Sequence, residues 1–238
     1  MAGNIQSEML IARPDALVLP YCRAMMAFAL FVPRPRHIVM VGLGGGSLAK
    51  FCHRHFPAAR ITVFELRADV IALREVFCVP PDDARFRVVH ADATGAIAAL
   101  AGEVDVLLVD GYDACGLPPA LGSSRFYADC RRALADGGVL CANVFSYDPQ
   151  YGAILGRLRL MFGNHVCWLE RVAGNNRILF AVKAGFDPAP GAPAPRALRV
   201  ARWLDRRHGL GAGWLNRLLV RSLVILLSLN AGSTGRQH

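Results

Sequence analysis

His37-Ile-Val-Met-Val-Gly42-Leu-Gly-Gly-Gly46-Ser-Leu48 decides the fold of this chain: an apolar, β-branched run passes directly into a glycine-rich turn and then into a segment of helical period. Glycines at such a turn let backbone approach a ligand closely, while the helix start offers free N–H groups. The same alternation continues downstream. Strands are predicted at His37–Gly42, Ile61–Glu65, Phe86–His90, Val104–Asp110, Val139–Phe145, His165–Arg171 and Arg177–Lys183. Helices are predicted at Ser47–His55, Ala68–Phe77, Thr94–Leu100, Ser124–Ala135 and Pro149–Met161, the fourth ending at an Asp136-Gly137-Gly138 stop. This is the pattern of an α/β protein with helices on both faces of a seven-stranded, mostly parallel sheet. The last two strands are separated only by 172–176, with Gly174-Asn175 at the centre, so they read as a hairpin with the last strand antiparallel.

Composition bounds the rest. With 238 residues, 54% hydrophobic and 19% charged, the chain fits one globular domain with appendages and excludes disorder as a description of the whole. No uninterrupted apolar stretch reaches the roughly 18–20 residues of a bilayer span, and the start lacks the basic-then-apolar layout of a secretory signal; a cytoplasmic protein is expected. Seven cysteines without a C-x-x-C pair suit neither a disulfide framework nor a zinc site, so no metal is expected. Of the net charge of +9, residues 185–238 supply +6 through eight Arg and two acids, and no basic motif interleaved with aromatics supports a nucleic-acid partner.

Three regions follow: an N-terminal segment 1–36, a Rossmann-like unit 37–184, and a tail 185–238. The first contains Gln6-Ser-Glu-Met and a helical stretch Tyr21–Phe31, too little for a core of its own. It is expected to lie across the sheet edge or over the active face. The tail begins with the Pro/Ala-rich linker Asp187–Pro195, followed by helical pieces Ala197–His208 and Trp214–Leu229. The apolar run Leu218–Leu229, interrupted by Arg221, is expected to pack on the domain or a second subunit, as in a homodimer, in preference to a membrane surface.

The candidate chemistry gathers at successive strand ends. Beyond Gly42, Gly44 and Gly46, Glu65 ends the second strand, 19 residues past Gly46, where a carboxylate can accept from both hydroxyls of a ribose. Asp92 follows the third strand and suits the exocyclic amine of an adenine. The alternative for both acids is to cap the helices that follow them. The fourth strand runs into Asp110-Gly-Tyr112-Asp113, two carboxylates three residues apart and suited to a cationic substrate. One can hold an ammonium while the other takes a proton from an attacking amine. Tyr112 and Tyr21 are candidates to flank an aliphatic diamine.

Taken together, Gly42–Ser47, Glu65, Asp92, Asp110-Gly-Tyr-Asp113, Ser124-Arg-Phe-Tyr127 and Leu134-Ala-Asp-Gly-Gly138 resemble the catalytic domain of the spermidine synthases, the polyamine aminopropyltransferases. The resemblance spans roughly residues 5–184. It implies an S-adenosylmethionine-dependent methyltransferase-type Rossmann fold and transfer of an aminopropyl group from decarboxylated S-adenosylmethionine to a polyamine, releasing methylthioadenosine. The donor is a co-substrate, with no permanently bound cofactor. By motif position, Glu65 corresponds to the ribose-binding acid, Asp92 to the adenine-amine acceptor, Asp110 to the base and Asp113 to the acceptor-ammonium site. Gln6 resembles a donor-contacting glutamine and Tyr21 an acceptor-site tyrosine. The chain departs from the family at Gly45, where an aspartate ordinarily binds the donor's aminopropyl ammonium, and in its short N-terminal segment, which replaces a small β-domain. The first departure leaves room for the carboxylate of intact S-adenosylmethionine, so a small-molecule methyltransferase is one alternative. A non-catalytic protein that binds an adenosyl metabolite or polyamine is the other.

Overall fold

The computed structural model describes residues 7–112, 116–163, 165–173 and 175–183. Gln6, Asp113 and the whole tail 185–238, with its two expected helical pieces, lie outside the described residues. The strands are β1 (His37–Val41), β2 (Arg60–Glu65), β3 (Phe86–His90), β4 (Val104–Val109), β5 (Leu134–Phe145), β6 (Val166–Ala173) and β7 (Asn176–Val182). They form one sheet in the order β3-β2-β1-β4-β5-β7-β6. The first five run parallel, and β7 inserts antiparallel between β5 and β6.

All five residues of β1 are buried because both sheet faces are covered. Ile38 and Met40 point into a layer with Cys22, Met25, Phe28, Phe51 and Cys52. Val39 and Val41 point the opposite way, into a layer with Ile97, Phe126, Tyr127, Ile154 and Leu158. The first layer is built from α2 (Ser47–His55) and from α1 (Pro20–Met25), which runs into a 3-10 turn, Met26–Leu30. The second is built from α4 (Ala93–Ala98), α5 (Ser124–Ala133) and α6 (Tyr151–Phe162). Short α3 (Ala68–Ala72) follows β2.

The N-terminal segment joins this core. Pro20 opens α1, where its missing N–H costs nothing. Met25, Met26 and Phe28 are fully buried, and Phe31 stacks on Phe180 of β7 with ring centroids 5.4 Å apart.

Two local expectations change. The helix predicted over Ala68–Phe77 is regular only to Ala72, after which tight turns continue to Cys78, whose φ of +52° marks the reversal. The Asp136-Gly137-Gly138 stop proves to be a bulge inside β5. Leu134 already pairs with Val104, and the ladder resumes at Val106↔Val139. A Cβ at Gly138 would sit 2.9 Å from both the Ala135 and Val104 carbonyl oxygens, so close backbone approach, more than helix termination, requires glycine there.

Candidate active site

The strand order reverses between β1 and β4, and this opens a crevice at the carboxyl ends of the strands. Asp92, the glycine loop and Asp110 follow β3, β1 and β4, and Glu65 ends β2, so the four line that edge in the order of the sheet.

The loop is shaped by its glycines. Gly42 has a φ of +89°, and a Cβ there would overlap the Asp110 carbonyl oxygen, so the β1 and β4 ends touch through backbone. Gly46, at φ +68°, is the N-cap of α2 and packs against Val79. Gly44, at φ +51°, faces open space. Gly45 does not: a Cβ would overlap the Ser7 side chain and lie 2.9 Å from the Phe77 ring. The room that the sequence suggested at this position is taken up by the N-terminal segment. Behind it, buried Lys50 donates to the Phe77 carbonyl at 2.6 Å and contacts the Met9 sulfur at 3.2 Å, fastening that segment to α2.

Glu65 is 7% exposed. Its Oε2 accepts from Leu43 N at 2.7 Å and its Oε1 from Arg67 N at 2.9 Å, so the carboxylate holds the loop to the turn after β2. Four lone-pair directions on a carboxylate leave capacity beyond these two bonds. Asp92 caps α4: its Oδ1 accepts from Thr94 N and Thr94 Oγ1, both at 2.8 Å. The helix-capping alternative therefore describes one oxygen of Asp92, and the exposed residue shows no protein partner for the other among the described residues.

Asp110 lies at the centre. Its Oδ1 accepts from Asn143 Nδ2 at 2.8 Å, and the Tyr21 hydroxyl interacts electrostatically with the same carboxylate. Burial pushes the carboxyl above the ordinary aspartate range, partly offset by these two groups. The same burial, with the Asp110 charge adding to it, raises the Tyr21 phenol and pushes the Cys22 thiol up to about 12. Tyr112 accepts from Phe145 N at 3.0 Å and donates to Asp148 Oδ2 at 3.4 Å; its ring meets Phe145 edge-on at 4.3 Å. Phe145 in turn stacks on exposed Tyr147 at 5.2 Å. The structure thus brings Gly42, Gly44, Gly46, Glu65, Asp92, Asp110, Tyr112 and Tyr21 to one edge.

Sequence reasoning missed Asn143, Asn176, Asp148 and Ser7. Asn143 carried a signal: it is a lone amide in an otherwise apolar strand end, Val139-Leu-Cys-Ala-Asn-Val-Phe145. Ser7 carried none, because only tertiary packing places it on Gly45. Among the described residues there is no cluster of His, Cys, Asp or Glu that could hold a metal ion, and no helix long and apolar enough to cross a membrane.

Comparison with known proteins finds relatives in sequence and in fold. Residues 19–149 match the Spermine/spermidine synthase domain family. The chain is 37% identical over 218 residues to a polyamine aminopropyltransferase of Chromobacterium violaceum, covering 90% of this chain and 82% of that protein. A probable spermidine synthase from Corynebacterium glutamicum shares the fold at a TM-score of 0.68 and 22% identity, covering 87% of this chain and 84% of that one. Human methyltransferase-like protein 13 in complex with SAH aligns at a TM-score of 0.64 and 26% identity, covering 82% of this chain and 95% of that one.

Proposed function

Since the chain belongs to the spermine/spermidine synthase domain family and is a transferase of the polyamine aminopropyltransferase type, we propose that it moves an aminopropyl group from decarboxylated S-adenosylmethionine to a primary amine of a di- or polyamine, with Asp110 as the base. The observation that carries this reading is the environment of Asp110: a carboxyl raised by burial, bonded to Asn143 and interacting with Tyr21, at the end of the strand adjoining the one that leads into the glycine loop. A base raised toward the working pH accepts a proton from an ammonium more readily than an exposed aspartate does.

In the proposed reaction the acceptor nitrogen, deprotonated by Asp110, forms a bond to the donor's aminopropyl carbon as the carbon–sulfur bond breaks. The electron pair leaves on sulfur, giving methylthioadenosine, and the proton remains on Asp110. The sulfonium is already activated, so orientation and deprotonation are the protein's main tasks. The free lone pairs of Glu65 suit the ribose hydroxyls, and the unpaired oxygen of Asp92 suits the adenine amine. Tyr112 and Tyr21 offer ring faces to the methylene chain. Asp113 is assigned to the acceptor's second ammonium, and Gln6 to the donor, by motif position.

One observation favours a second reading. At Gly45 the wall of the crevice is Ser7 and Phe77, neither of them acidic, so nothing at that position pairs with a donor ammonium. Transfer of a methyl group needs no acid at that position, although Ser7 and Phe77 fill the space beside Gly45, and the similar human methyltransferase was solved with SAH.

Mass spectrometry of the nucleoside released from both donors, with a panel of diamines and polyamines, separates the readings. Methylthioadenosine that depends on amine and on Asp110 establishes aminopropyl transfer. S-adenosylhomocysteine establishes methyl transfer. Neither product, with donor still bound, identifies a binding protein.

A further inference from the structure

Asn143 is 3% exposed in a strand whose neighbours are apolar, and a buried amide persists only when its donors and acceptors are matched. An ionised Asp110 presents acceptors alone, so Asn143 must turn its NH2 toward it. The Asn143 Oδ1 then needs a donor, and Asn176 Nδ2 supplies one at 2.8 Å. The polarity of the chain Asn176→Asn143→Asp110 thus follows from the charge at its end. Asn176 is itself held by backbone: it pairs with Phe145 across β5 and β7, while Ser146 N donates to the neighbouring Asn175 carbonyl at 2.7 Å.

We infer that Asn143 and Asn176 are positioning residues, a relay of two amides fastened to the β6–β7 hairpin that fixes Oδ1 of Asp110 and the plane of its carboxyl group. Among the described residues Asn176 shows no hydrogen bond to Asp110, and it acts through Asn143. The relay gives the antiparallel end of the sheet a part in the site. A slip of β7 against β5 would withdraw the Asn176 donor and release the Asn143 amide to rotate. The inference rests on Asp110 being the base of the proposed transfer, but its test needs no turnover.

The test is the titration of the Asp110 carboxyl carbon, followed by NMR in protein labelled with 13C at aspartate and assigned by the loss of one signal in Asp110→Asn. The groups that face this carboxyl are Tyr21 and Cys22 from α1, Tyr112 after β4 and Cys141 on β5, and all stay in place in the variants. Donation to a carboxylate favours its charged form, so Asn143→Ala moves the midpoint up by about one pH unit. Asn176→Ala moves it up by a smaller amount, and the double variant matches Asn143→Ala alone. A midpoint unmoved by Asn176→Ala, or shifts that add in the double variant, overturns the relay. If Asn143→Ala loses the native near-ultraviolet dichroism, half-buried Asn176 decides the matter through Asn176→Ala: a shifted midpoint supports the relay and an unmoved one overturns it. A chain that shows the expected shifts but transfers nothing retains the relay and loses the reading of Asp110 as a base.

Discussion

Asp110 combines two opposed demands, because the burial that strengthens it as a base also makes its charge costly to hold. Its carboxyl is raised in the folded state, so the unfolded chain binds fewer protons there at pH values between the two midpoints. The folded protein then loses stability as pH rises through the folded midpoint, and the penalty disappears below the ordinary aspartate value of about 3.9. Asp110→Asn is therefore expected to raise the melting temperature at pH 7, with the gain vanishing near pH 3.5, while abolishing turnover and preserving donor affinity. Melts across that range, paired with donor titration calorimetry, check all three. At Gly45 the expectation runs the other way. Gly45→Asp drives a side chain into Ser7 and Phe77, so it lowers stability by about 1–3 kcal/mol, as overpacking does. Pairing it with Ser7→Gly recovers part of that loss in the same melts.

At the scale of elements, strand ends present the site and helix starts finish it. Asp92 belongs to both, since it caps α4 and borders the crevice. Asp92→Ala removes the cap at a typical cost of about 1 kcal/mol, whereas Asp92→Ser keeps a capping oxygen but shortens the reach. If Asp92 also binds the donor, Asp92→Ser weakens donor affinity while leaving the melting temperature nearly unchanged; unchanged affinity would confine Asp92 to capping. The bulge in β5 shows why a correct motif can receive the wrong element. Asp-Gly-Gly is a frequent helix stop, and from sequence it reads as one. In the fold, Leu134 is already paired with Val104, and Gly138 is needed because two carbonyl oxygens approach it. Gly138→Ala is expected to destabilise by about 1–3 kcal/mol in denaturant titration, more than a helix-end glycine would.

For the whole molecule, burial sets the response to acid. His37, His53 and His55 are all held below the usual histidine value, chiefly by desolvation. The unfolded chain takes up protons at these sites first, so the contribution of these histidines to stability is complete above about pH 6.5 and declines as pH falls through the lower folded midpoints. His37 is 6% exposed between Arg60 and Thr62, so His37→Gln should flatten part of that decline in melts between pH 7 and 5. The described fold closes without the tail: β7 completes its ladder at Val182↔Val139, and Lys183 bonds Gly138. A chain ending at Lys183 is expected to melt cooperatively, and gel filtration beside the full chain shows whether the apolar run Leu218–Leu229 drives assembly.

The sequence by itself determined the class of fold, because apolar β-branched runs alternating with helical periods have few ways to bury both faces of a sheet. It also determined the acids at the strand ends, since chain order and topology together fix which ends meet at the switch between β1 and β4. Tertiary structure alone decided what surrounds those acids. Ser7 against Gly45, Tyr21 on Asp110, and the Asn176–Asn143 chain join residues 38, 89 and 33 positions apart. No local propensity or spacing encodes such contacts; they exist because packing the N-terminal segment and the hairpin on one sheet brings together polar groups that are distant in sequence.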